Sequence, residues 1–96
     1  MPLLDELRAR REEIYSIAAK YGIDRVRVFG SVARGEETAL SDVDFLVHIG
    51  RNRSLLDLAG FQQEMEEMLQ HKADVVSEHG IYHLLRDETL GNAVPL

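Results

Sequence analysis

Cysteine is absent from all 96 residues. Disulfides and thiolate metal sites are thereby excluded, and the composition fits a reducing cytoplasm. Basic residues are also scarce: 11 Lys and Arg stand against 17 Asp and Glu, for a formal net charge of −6. Without a basic excess to displace counterions, no direct nucleic-acid contact is expected. A nucleotide is not excluded, because a metal ion can bridge its phosphates to carboxylates. No apolar run approaches the roughly 18 residues of a membrane helix. The start of the chain, with Asp5, Glu6 and several arginines, lacks the apolar region of a signal peptide. Repeats, low-complexity tracts and linkers are missing as well. What remains is 45% hydrophobic and 29% charged, the balance of a globular protein. At this length one domain over residues 1–96 is expected, with a modest core and no second lobe to enclose a substrate.

Periodicity divides the chain. Pro2 suits a first helical turn, and Leu3, Leu7, Ile14, Ile17, Ala18 and Tyr21 recur at mostly three- and four-residue spacing. With Gly22 as a stop, this predicts a helix over 3–21. Arg25 to Phe29 reads as a strand, Ser31 to Arg34 as a turn or one helical turn, and Gly35 to Leu40 as a polar loop. Asp42 to Ile49 is the clearest strand. Val43, Phe45, Val47 and Ile49 fall on one face, with Asp42, Asp44, Leu46 and His48 on the other. Ser54 is a plausible N-cap with Asp57 three residues on. It opens a helix to about Gln70 whose inner face is Leu55, Leu58, Ala59, Met65, Met68 and Leu69. Glu64, Glu66 and Glu67 read as its solvated face. Lys72 to Ser77 is a short strand, and Ile81 to Leu90 a final helix bounded by Gly80 and Gly91. The expected class is α+β: a small mixed sheet of three to four strands with helices packed on one face. The connection between the first two strands has no room for a crossover helix, so they should be antiparallel. The pair joined by the long helix should be parallel.

The most informative stretch is residues 30 to 44, G-S-V-A-R-G-E-E-T-A-L-S-D-V-D. Gly30-Ser31 stands ten residues ahead of Asp42-x-Asp44, and Asp74 follows inside the apolar run Ala73 to Val76. A D-x-D pair alone arises by chance in roughly one of two chains of this composition. Requiring Gly-Ser at one fixed earlier spacing lowers that to roughly two in a thousand. A small polar turn offers backbone N–H groups and a hydroxyl to phosphates. Two carboxylates on one strand face, about 6–7 Å apart along the backbone, can hold divalent ions.

G-S-x10-D-x-D with a third Asp on the next strand resembles the polymerase-β-type nucleotidyltransferase superfamily. The stretches V-F-G-S-V-A-R-G, S-D-V-D-F-L-V, R-S-L-L-D-L, K-A-D-V-V-S-E and L-R-D-E-T-L are closer still to its minimal members, the MNT-domain family. The resemblance implies a nucleotidyltransferase fold. It implies Gly30 and Ser31 as the phosphate-binding pair, Arg34 as a further nucleotide contact, and Asp42 and Asp44 as the metal-binding pair. Asp74 would share the metal site and take the proton from the attacking hydroxyl. It further implies Mg²⁺, with two ions expected, and ATP as substrate. The implied partner is a HEPN-domain ribonuclease toxin, held in a hetero-oligomer and silenced by transfer of AMP to a tyrosine. Two other readings stand beside this one: a non-catalytic antitoxin that neutralises the toxin by binding, and a nucleotidyltransferase for a small-molecule hydroxyl. The single short domain speaks against the last, and the intact acids favour catalysis. His48 occupies a strand position where family members often carry another polar residue, and reads as a surface or satisfied histidine.

Overall fold

The computed structural model describes residues 2–38, 41–78 and 93–96. Within them the chain runs α1 (Leu3–Ala9), α2 (Arg11–Lys20), β1 (Ile23–Phe29), α3 (Gly30–Arg34), β2 (Val43–Ile49), α4 (Leu55–Leu69), β3 (Ala73–Ser77) and β4 (Val94–Pro95). One mixed sheet results, in the order β3-β2-β1-β4. As the loop lengths require, β1 and β2 are antiparallel, while β2 and β3, joined through α4, are parallel. β4 adds antiparallel to the free edge of β1, with Val94 opposite Val28.

The two-residue period of the strands sorts their side chains. Val26, Val28, Val43, Phe45 and Val47 are fully buried and form one core with Leu7, Ile14, Ala18, Phe61 and Met65 from the helices. Phe45 and Phe61 meet edge-on, their ring centroids 5.9 Å apart. Each such large side chain removed from water contributes about 1.5–3 kcal/mol. No helix among the described residues is long and apolar enough to cross a membrane.

The predicted helix over 3–21 is two helices. They break at Arg10, which adopts φ −104° and ψ 19°. The apolar stripe explains the position. Leu7 and Ile14 are buried, but positions 10 and 11, where a core residue would fall due, are both arginine. Arg10 instead turns outward to Glu13 and donates to the carbonyl of Met68 at 3.1 Å.

The start of α4 is as expected. Ser54 Oγ accepts from the Leu56 N–H at 3.2 Å, and Asp57 accepts from the Ser54 N–H at 2.9 Å, a reciprocal cap worth about 1 kcal/mol. Its inner face agrees with the prediction at Met65 and Leu69, which are buried, and at Leu58 and Met68, which pack against the core, and departs from it elsewhere. Phe61, Met65 and Leu69 are buried at strict four-residue spacing, whereas Leu55 is 81% exposed and Ala59 also faces out. Nor are Glu64 and Glu66 simply solvated. Glu64 accepts from Lys20 at 2.9 Å and from the Tyr21 hydroxyl, tying α4 to α2. Glu66 accepts from the Ala73 N–H at 3.0 Å and so helps start β3. The helix predicted over Ile81–Leu90 lies outside the described residues.

Candidate active site

The chain leaves β1 at Phe29 in an extended conformation and turns at Gly30, whose φ is +73°. A left-handed conformation of that kind favours glycine. α3 begins there, so Gly30 and Ser31 lie in its first turn, where backbone N–H groups lack intrahelical partners. Val32, one residue on, is fully buried and anchors this turn in the core. Arg34 closes the short helix, exposed, its guanidinium 3.1 Å from the Glu36 carboxylate.

The acids arrive from two neighbouring strands. Asp42 immediately precedes β2 and Asp44 is its second residue. Cross-strand register sets Asp44 opposite Phe29 on one side and opposite Asp74 on the other. Asp44 and Asp74 therefore project from the same face of the sheet, and Phe29 delivers the chain directly into Gly30-Ser31 beside them. Two closures fix the strand start. Ser41 donates its N–H to the Thr38 carbonyl at 3.0 Å, and Val43 donates to the Lys72 carbonyl at 2.9 Å.

The convergence has an electrostatic consequence. The Asp44 carboxyl is pushed above the usual carboxylate range, first by burial, then by the charges of Asp74 and Asp42, with Arg34 opposing. Asp44 thus feels every other side chain singled out for the charged part of the site. Glycine at position 30 makes the approach possible, since the Asp44 carboxylate stands where a Cβ on that residue would be.

Among the described residues no three His, Asp or Glu side chains stand ready-made as a metal cage. The acids form an open, all-oxygen set on a strand face, half-buried at Asp42 and Asp44 and exposed at Asp74. Such a set suits a hard dication that retains water and phosphate oxygens among its ligands.

Sequence reading thus named the residues that gather here: Gly30, Ser31, Asp42, Asp44 and Asp74, with Arg34 at the rim. It was silent on Glu37, whose Oε1 accepts the Leu3 N–H at 2.9 Å and ties the intervening loop to α1. Nothing in a Gly-Glu-Glu stretch marks one acid as a tether. His48 is a surface histidine paired with Asp24 at 2.6 Å.

A glycine-led turn at a helix start, set against converging carboxylates on a small mixed sheet, is the arrangement expected of a nucleotidyl-transferring enzyme. The chain belongs to the nucleotidyltransferase domain family, whose model matches residues 4–95. It is 42% identical over 84 residues to a Methanocaldococcus jannaschii protein named "putative protein adenylyltransferase", covering 88% of this chain and 90% of that one. A Thermococcus cleftensis protein named protein adenylyltransferase MntA is 32% identical over 75 residues, 78% of this chain and 73% of that one. A solved structure described as a "putative minimal nucleotidyltransferase" superposes with TM-score 0.86 at 48% identity, covering 97% of this chain and 95% of the other. A toxin–antitoxin structure with AMP-PNP shares the fold at TM-score 0.75 and 16% identity, over 88% of this chain and 69% of that one. So does a complex of a tri-AMPylated Shewanella oneidensis HEPN toxin with an MNT antitoxin, at TM-score 0.67 and 15% identity, over 99% of this chain and 71% of that one.

Proposed function

We propose that this protein transfers AMP from ATP to a tyrosine hydroxyl of a cognate HEPN toxin and so acts as its antitoxin. The observation that carries the reading is the register that sets Asp44 opposite Asp74 and beside the Gly30-Ser31 turn. Relatives named as protein adenylyltransferases support the AMP-transfer chemistry. The fold shared with an MNT antitoxin found on an AMPylated HEPN toxin supports the partner.

The reaction is in-line attack of the hydroxyl on the α-phosphorus, with pyrophosphate leaving. Ser31 and the N–H groups of its turn would bind the β- and γ-phosphates, and Arg34 would add a charge-assisted contact at the rim. Asp42, Asp44 and Asp74 would hold Mg²⁺, two ions being the expected number, which when bound neutralises charge on the attacking and leaving oxygens. Asp74, the exposed member of the acid set, is open to an incoming hydroxyl and would accept its proton.

The test separates transfer from simple occlusion. An Asp42→Asn/Asp44→Asn double variant should still bind the HEPN partner yet fail to protect cells at stoichiometric expression. Full protection by that variant would replace transfer with binding as the mechanism.

A further inference from the structure

We infer that Glu37 is a positioning residue for the nucleotide site, holding the loop between Ser31 and Asp42 against the start of α1. The inference rests on the nucleotidyl-transfer reading of that site. The loop must deliver Asp42 to a fixed place relative to Ser31, because phosphate and metal are bound from its two ends. Among its described residues the other ties are short-range. The Glu36 N–H donates to the Ser31 carbonyl at 2.9 Å, and the Thr38 N–H donates to Ser41 Oγ at 2.8 Å. The Glu37 contact differs in kind. Its Oε1 accepts the Leu3 N–H at 2.9 Å across 34 residues of sequence.

The anchor point is tied to the core. Leu3 and Leu7 of α1 are buried in the same core as Val32 of α3, so α1 backs the phosphate turn and the loop together. Among the described residues the other oxygen, Oε2, is buried and meets no partner in hydrogen-bonding geometry. A buried, unpaired oxygen is costly, and a carboxylate free to swing into water would not keep one. The Leu3 N–H, and after it the backbone N–H of Glu37 itself, hold the Glu37 carboxyl below the usual range against a smaller opposing effect of burial, so the group is charged at neutral pH. What the tether needs is an acceptor at that reach, which Gln supplies as well as Glu, whereas Ala and the shorter Asp do not.

The test is calorimetric titration of the full chain with AMP-PNP, with Mg²⁺ and with EDTA. Glu37→Gln should bind Mg²⁺–AMP-PNP as wild type does. Glu37→Ala should lose about tenfold in the Mg²⁺-dependent part, in the range known for supports of metal ligands, with the EDTA titration unchanged. Glu37→Asp should show the same loss and serves as the second variant if Glu37→Ala does not fold. A folded Glu37→Ala or Glu37→Asp with wild-type Mg²⁺–AMP-PNP affinity would overturn the inference, as would Glu37→Gln binding as weakly as Glu37→Ala. Wild-type protein that binds no Mg²⁺–AMP-PNP would instead overturn the nucleotide reading beneath it.

Discussion

The carboxylate of Asp44 and the missing side chain of Gly30 share one space: the acid stands where any Cβ at position 30 would project. Gly30 is thus required twice, by its φ of +73° and by its neighbour. Gly30→Ala should cost about 1 kcal/mol or more from backbone strain alone and should push Asp44 out of place, lowering turnover at least as far as it lowers stability. Asp44→Ala added to it should recover part of the stability and none of the activity. Chemical denaturation of the two single variants and the double variant checks this, since residues in contact give non-additive effects.

Asp44 also predicts a pH dependence. Burial and the charges of Asp74 and Asp42 raise its folded-state pKa. The folded protein therefore holds this proton more tightly than the unfolded chain, and stability falls as pH rises from the ordinary carboxylate value through the raised one. Asp44→Asn should match wild type in acid and melt higher at neutral pH, by on the order of a few degrees. Mg²⁺–ATP should raise the melting point of wild type, by mass action equivalent to about 2.7 kcal/mol at a hundred times the dissociation constant. Asp44→Asn should lose that response. Thermal scans of both proteins across pH 4–8, with and without Mg²⁺–ATP, measure all of these outcomes.

The placement of the candidate site's residues was legible in the sequence because its geometry is local. Gly30-Ser31 follows a strand, Asp42 and Asp44 sit two apart on the next, and a period of two puts both acids on one side. The parallel pairing that brings in Asp74 followed from a helix of normal length between two strands. What stayed hidden depends on contacts between distant elements. The break at Arg10 follows from a missing core residue, not from any Gly or Pro. Glu64 and Glu66 look like surface acids until α2 and β3 arrive beside them. Gly60 looks like a helix-weakening residue until the Tyr21 ring is found in the place of its side chain.

That last contact gives a prediction against helix propensity. In an exposed helix Gly→Ala stabilises by about 0.8–1.0 kcal/mol. Here the new methyl would strike the Tyr21 ring and disturb its hydrogen bond to Glu64. Gly60→Ala should destabilise, and Tyr21→Ala in the same chain should restore the ordinary benefit of alanine. Urea midpoints of the single and double variants decide the sign.

The most direct measurement is intact-mass spectrometry of the HEPN partner after incubation with this protein, ATP and Mg²⁺. The predicted result is a mass gain equal to one or more AMP groups, located on tyrosine by fragmentation. It should be absent with Asp42→Asn and cut sharply by Ser31→Ala, whose lost donor is worth about 2.7–4 kcal/mol at a site of developing charge. A partner of unchanged mass, or an equal gain with Asp42→Asn, would contradict the assignment of AMP transfer to these residues.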